Sequence, residues 1–545
     1  MLLVAAPAKT AENEFIGRAA AYSLLVALPF LLPIVSGPSV DGWQALVSWA
    51  SAALCCGLGA TRGTEPVRAD RAESPLQAGI ARGLLLASLV SVVLGLLQYY
   101  RLASPLIPWT TQPELGVAYG NLRQRNQFAT LLALGLVAAL WLHGGAGAMR
   151  RRWLLASMAL LALGMAASTS RTGLLQWCGI LSFAAFMAWR ERRPAPERAA
   201  APSGAESALA SLADRGGAAR LRLPPPWLLL ALLALYFAAT WVLPLLAVGD
   251  VEGLMRRVRE GAPAGHSRLL LWNNVLTLIA QRPWTGWGWG ELAFAHYSTL
   301  YPGPRFVEIL DNAHNLPLHL AVELGIPVAL LVCGGFAWLV VAARPWRERD
   351  PARLMAWGML GAILLHSLVE YPLWYGPFQL VFGLCLGLLW FGRSASGAYK
   401  QKVTPGPVLR AQAAIFLIAC ISYVAWDYTR VSQLYLPRAE RLAPYRDDTL
   451  AKVRDTRLFA RYVRFAELGL LPLTPQTAPA VHALALKAIH FSPEPRVIVK
   501  LIDSSLLLGL TDEAAAHQLR FERAFPADYA RWRAGQPVYR SPTPQ

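Results

Sequence analysis

The chain has 545 residues, a net charge of +18, and only 15% charged residues against 55% hydrophobic ones. With a mean hydropathy of +0.37, that composition excludes a disordered chain, which lacks apolar surface to bury, and a wholly soluble globular protein, which carries roughly 25% charge. The basic excess does not point to nucleic acid, because the Lys and Arg residues sit between long apolar blocks, the arrangement of a multi-pass membrane protein.

A membrane-spanning helix needs about 20 mostly apolar residues. Eleven segments qualify in chain order: 18–36, 43–60, 80–100, 127–143, 153–168, 172–189, 227–248, 318–343, 354–370, 376–391 and 409–427. The first lacks a small-residue cleavage site and reads as a retained span. Basic residues gather in alternate loops: Arg62, Arg68, Arg71 and Arg82; Arg150, Arg151 and Arg152; Arg190, Arg192 and Arg193; Arg344, Arg347, Arg349 and Arg353; Arg393, Lys400, Lys402 and Arg410. Cytoplasmic loops carry such an excess, so 101–126, 249–317 and everything after about 428 are expected on the opposite side.

The fold class expected is therefore all-α and polytopic. Residues 1–427 form the membrane domain and 428–545 a soluble helical domain. Within the first, 190–226 is rich in Ala, Pro, Arg and Ser and reads as a cytoplasmic linker. The 249–317 connection is long enough to imply function, and its 267–280 stretch reads as a helix near the membrane surface. After 428, helical spacing over 449–469, 476–491, 496–508 and 511–523 suggests helix pairs of tetratricopeptide type, without a regular period. All six cysteines lie in apolar segments, with neither CxxC nor metal-ligand spacing, and read as small core hydrophobes.

Five polar patches interrupt the outer ends of the spans. In 120–128, Arg123, Gln124, Arg125, Asn126 and Gln127 are either a solvated loop end with interfacial arginines or a site whose amides and guanidinium groups suit phosphate and sugar oxygens. In Ser168-Thr-Ser-Arg-Thr-Gly173, Arg171 is the single charge in a short turn, against the charge bias, which favours a phosphate contact over a mere anchor. In 266–289, Arg268 opens the surface helix, where free backbone amides also favour an anion. Trp272, Trp284, Trp287 and Trp289 are either an interfacial belt or stacking platforms for sugar rings. In 311–325, His314 is flanked by polar residues and is poised for proton transfer near neutral pH; His319 is the weaker candidate. In 366–375, Glu370 is expensive near a membrane unless paired, and Tyr371 and Tyr375 are either belt residues or part of the same site.

The order STSRTG (168–173), R-x3-W…P-x-x-G-x-G-x-G (268–290) and DNAHN…E-L-G (311–325) resembles the O-antigen ligase and polymerase superfamily of bacterial envelope glycosyltransferases. NLRQRNQFAT (121–130), HSLVEYPLWYGPF (366–378) and the soluble C-terminal domain most resemble its protein O-oligosaccharyltransferase branch. The resemblance implies about twelve spans, one more than counted here. It implies transfer of a glycan from an undecaprenyl-diphosphate lipid to an acceptor hydroxyl, on the periplasmic face of the inner membrane and without a metal or other cofactor. It casts Arg171 and Arg268 as diphosphate ligands and His314 as the group that activates the acceptor, with Gln124 and Tyr371 at positions implicated in activity. Arg123, Arg125, Asn126, Glu370 and Trp272 are expected to line the substrate site. The acceptor expected is a Ser or Thr of a pilin-like or other periplasmic protein. Lipid A–core, a growing polysaccharide, and transport of a lipid-linked sugar are the alternatives.

Overall fold

The computed structural model describes residues 6–33, 42–60, 73–192, 222–249, 267–391 and 406–538, and among them every regular element is helical. Most of the expected linker, 193–221, lies outside the described residues, as do 250–266 and the basic residues Arg62, Arg68, Arg71, Arg393, Lys400 and Lys402.

The membrane part comprises α1 (Ala6–Leu31), α2 (Gly42–Ala60), α3 (Pro75–Tyr99), α4 (Arg125–Gly144), α5 (Arg151–Ser168), α6 (Arg171–Arg192) and α7 (Pro226–Leu245). Then come α8 (Arg268–Gln281), α9 (Leu292–Ser298) and α10 (Leu316–Leu324), which form the loop region. The membrane part resumes with α11 (Ile326–Arg347), α12 (Pro351–Ser367), α13 (Gly376–Phe391) and α14 (Pro407–Ser432). Eight described helices are long and apolar enough to cross a membrane. Three shorter ones, α5, α12 and α13, coincide with the remaining expected spans. The protein is a polytopic, all-α membrane protein.

Two expected boundaries shift. The apolar run 318–343 is not one helix: Gly325 adopts φ +87° and ends α10, and Pro327 stands in the first turn of α11, a pairing of helix stop and helix start. Residues 316–324 thus belong to the loop region. The boundary expected near 427 falls inside α14, which continues to Ser432.

The core gathers around α4, which is buried along almost its whole length. In lipid, apolar surface alone does not drive helices together, so close approach through small residues matters. Gly79 and Gly83 of α3 let α1 lie directly on them: a Cβ on Gly83 would sit 2.5 Å from the Ser23 carbonyl oxygen. Gly135 of α4 meets Ser88 of α3 in the same way, and the Ser88 hydroxyl reaches the Leu131 carbonyl at 2.9 Å. By contrast, α11 and α14 are barely covered and expose Leu331, Trp338, Ile415 and Phe416. Apolar patches of that extent mark a membrane-facing surface.

The loop region has its own core, built from Leu271, Val275 and Leu278 of α8, Leu292 and Ala295 of α9, Phe306, Leu310 and Val322. The 284–288 strand of chain runs along the end of α10, with Trp287 N–H on the Val322 carbonyl and Gly288 N–H on the Glu323 carbonyl, both 2.9 Å. Gly286 (φ +67°) permits this crossing, since a Cβ there would lie 2.3 Å from the Glu323 backbone.

The C-terminal helices α15 (Ala460–Leu470), α16 (Ala478–Phe491), α17 (Pro495–Leu507), α18 (Thr511–Ala524) and α19 (Pro526–Arg533) stack in sequence order. Their core includes Tyr297 of the loop region, whose hydroxyl bonds His517 Nδ1 at 3.0 Å. His490 stacks on Phe294 and bonds Glu291 at 2.7 Å. The C-terminal helices therefore grip the loop region directly.

Substituting Gly83→Ala should destabilise the purified protein by about 1–3 kcal/mol, because the obstructing atoms are backbone. Gly179→Ala, with nothing within 4 Å of a Cβ, should be neutral or slightly stabilising. Melting temperatures of both in detergent check the contrast.

Candidate active site

Glu370 follows α12 by three residues and its side chain is 3% exposed. A carboxylate so placed is costly unless fully paired, and four groups pair it. Gln124 Nε2 donates to Oε2 at 3.3 Å and Asn126 Nδ2 to Oε1 at 3.2 Å. Arg268 Nη2 forms an ion pair with Oε1. His314 Nδ1 lies 2.7 Å from Oε2. Burial pushes the Glu370 carboxyl up, but the hydrogen bond from His314 and the charges of His314 and Arg268 outweigh it and leave the group below its ordinary value. Glu370 is ionised, so the proton between it and His314 sits on Nδ1. That leaves Nε2 as the second ring nitrogen, with no hydrogen-bond partner among the described residues.

The Asn312–Asn315 turn explains why His314 points as it does. His314 adopts φ +49°, an uncommon conformation for a side chain of its size. Asn312 Oδ1 accepts from the His314 N–H at 2.9 Å. Asn315 caps α10 through Leu318 N–H and donates to the Leu368 carbonyl, both 2.9 Å. The Trp272 indole N–H holds the Ala313 carbonyl at 3.1 Å, so Trp272 supports the turn. Tyr371 places its ring edge-on to His314, centroids 4.8 Å apart, and Tyr375 stacks behind it. Burial, with the charges of Asp311 and Glu370, pushes the Tyr371 phenol up to about 12, so it stays neutral.

Two further motifs reach the same centre. The Ser170 hydroxyl donates to Asn126 Oδ1 at 2.6 Å, and Arg125 Nη1 donates to Thr169 Oγ1 at 2.8 Å. The 168–171 turn is thereby docked on the start of α4. Arg125, Arg171 and Arg268 are each the first residue of a helix. The starts of α4 and α8 meet at the carboxylate, through Asn126 and Arg268, and the start of α6 is linked to them through the Ser170–Asn126 bond. Arg123 and Arg171 stand exposed at the ends of their turns, and the Arg268 side chain is 41% exposed despite its pairing.

His319 is not part of the centre. It is buried and its pKa is lowered to about 4 by burial and by His314. Its Nδ1 faces the Ala313 N–H at 3.4 Å and its Nε2 faces Glu323 at 3.4 Å. Sequence reasoning missed the layer behind Asn126, where Thr130 Oγ1 bonds His366 Nδ1 at 2.8 Å and Gln176 Nε2 donates to Thr130 Oγ1 at 2.9 Å. The signal was present: Thr130 is one turn from Asn126, and Gln176 is a polar residue inside an apolar run. Among the described residues, no group of three or more His, Cys, Asp or Glu side chains is gathered as a metal site.

Comparison with known proteins meets this geometry from three sides. The family described as O-Antigen ligase matches residues 156–333, which carry Arg171, Arg268 and His314. That described as Protein glycosylation ligase matches 118–143, which carry Gln124 and Asn126. That described as Virulence factor membrane-bound polymerase, C-terminal, matches 354–538, which carry Glu370 and Tyr371. The chain is thus a multi-pass membrane protein with segments that match the O-antigen ligase and protein glycosylation ligase families, the resemblance its motifs suggested. It is 26% identical over 290 residues to a General O-oligosaccharyltransferase of Acinetobacter baylyi, a match covering 50% of this chain and 43% of that protein. It is 23% identical over 177 residues to a ComP-specific O-oligosaccharyltransferase of the same organism, covering 31% of each. The matches span less than half the length of either relative.

Because the folded-state pKa of Glu370 is depressed, the stability it contributes is fully present above the ordinary value of 4.5 and is lost as the pH falls below it. Glu370→Gln should lower the melting temperature at pH 7 and flatten its decline on acidification. Thermal unfolding of both proteins across the acid range measures this.

Proposed function

We propose that the protein transfers an oligosaccharide from an undecaprenyl-diphosphate-linked donor to Ser or Thr hydroxyls of periplasmic, pilin-like proteins, at the outer face of the bacterial inner membrane. The single observation that carries this reading is the Glu370–His314 pair set among helix N-termini headed by arginines. The names of the two relatives and the three family matches support it.

The chemistry follows from the geometry. Glu370 holds the Nδ1 proton of His314, so Nε2 takes the proton of the acceptor hydroxyl, as carboxylate-oriented imidazoles do. The acceptor oxygen attacks the anomeric carbon. The bond from that carbon to the phosphate oxygen breaks, and the electron pair leaves with the lipid diphosphate. Negative charge grows on the departing phosphates. Arg171 and the exposed face of Arg268 stabilise it. Gln124 keeps a buried Oε1 without a partner among the described residues. Arg123 and Arg125 add positive charge at the rim.

The matches to the polymerase C-terminal family and to the O-Antigen ligase family favour one second reading, in which the acceptor hydroxyl belongs to another glycan or to lipid A–core. The chemistry is unchanged and only the acceptor differs.

The test is glycan transfer by purified protein, supplied with a lipid-linked oligosaccharide and, as acceptor, pilin-like proteins, lipid A–core or a second lipid-linked oligosaccharide. His314→Ala should lose on the order of 10²–10⁴ in turnover at unchanged donor affinity. Arg171→Ala should raise the donor KM and slow turnover, and full activity in that variant would remove the diphosphate assignment. Transfer only to lipid A–core, or only onto a second lipid-linked oligosaccharide, would move the protein to the second reading. Transfer to none of the three acceptors would overturn both.

A further inference from the structure

We propose that Trp289 and Trp374 form a carbohydrate-stacking subsite that holds a pyranose ring of the glycan beside His314. The proposal rests on the reading of the donor as a lipid-linked glycan.

The two indoles come from different parts of the chain. Trp289 belongs to the loop segment pinned to α10 by the Gly288 N–H. Trp374 ends the 372–374 turn that begins just after Tyr371. They meet with ring centroids 6.3 Å apart and planes 17° from parallel. Against both lies the buried imidazole of His319, near-perpendicular, its centroid 4.8 Å from that of Trp374 and 6.2 Å from that of Trp289. Yet both stay partly exposed: Trp289 is 57% exposed and Trp374 37%. Two large, partly exposed rings held against each other and against His319 make an apolar shelf.

Its position ties it to the reaction centre. The segments 314–319 and 371–374 touch twice, first where Tyr371 meets His314 and again where Trp374 meets His319. A ligand on the shelf is therefore next to the imidazole that activates the acceptor. Pyranose rings present a face of C–H groups that packs on an indole while their hydroxyls remain free for polar partners, the pairing of apolar body and polar edge that aromatic side chains serve. An interfacial belt behaves differently: its tryptophans anchor singly at the headgroup level. Trp284, in the same loop segment and 76% exposed, is of that single kind and supplies the control.

The experiment uses full-length protein in lipid nanodiscs. The donor is undecaprenyl-diphosphate-linked oligosaccharide, and glycan-free undecaprenyl diphosphate is the competing inhibitor. Trp289→Ala and Trp374→Ala should each raise the donor KM roughly tenfold and leave the inhibition constant of the glycan-free lipid unchanged. Trp374→Phe should keep most of the affinity, and Trp284→Ala should match wild type. An unchanged donor KM, or an equal rise in both constants, would overturn the subsite, the second by assigning the indoles to the lipid. Saturation-transfer NMR with the same oligosaccharide released from its lipid reads the shelf without turnover. Signal in wild type and its loss in Trp374→Ala supports the proposal; equal signals, or none in wild type, sink it. A wild type that glycosylates no acceptor but gives that signal would end the transferase reading and leave the sugar site standing.

Discussion

A carboxylate at the end of a membrane helix carries a desolvation cost that only a full set of donors offsets, and Glu370 draws its four donors from three separate stretches of chain. Gln124 and Asn126 come from the start of α4, Arg268 from the start of α8, and His314 from the turn before α10. Each brings with it the local structure that holds it: the docked 168–171 turn behind Asn126, and the Asn-fixed turn that forces His314 into a left-handed conformation. Removing the carboxylate would leave the arginine and the imidazole facing each other across a buried gap. The same charge that stabilises the fold also decides which imidazole nitrogen carries the proton, so the structural role and the chemical role of Glu370 are one interaction.

The loop region is framed on two sides. The membrane helices hold it through Glu370 and the Asn315 contact to Leu368. The C-terminal helices hold it through Tyr297, Glu291 and Phe294. His314 and Arg268 are thus carried by a small body whose placement depends on both partners. The C-terminal helices thus supply a wall to the segment that carries His314.

Much of this was legible in the sequence. Span positions follow from hydropathy, because a bilayer demands long apolar runs and little else. The polar residues of the site were visible because each is out of place: Arg171 in a turn of the wrong charge, Glu370 in an apolar setting, His314 among amides. The break at Gly325 was hidden because α10 and α11 are both apolar, and a hydropathy window joins them. The role of Glu370 as the common partner, the grip of His517 on Tyr297 and the meeting of Trp289 with Trp374 were not legible at all. These are contacts between residues far apart in the chain, and local propensity carries no information about them.

The distance in sequence between the partners of Glu370 has a consequence for how the protein is made. Gln124 precedes it by 246 residues and Arg268 by 102, and it is the last of the five groups to leave the ribosome. Until residue 370 has been synthesised and α12 before it inserted, the earlier arginine and imidazole have no common anchor and loop closure over these separations is unpaid. The centre is therefore assembled late: a chain that stalls or inserts incompletely before that point carries the motifs but not the geometry.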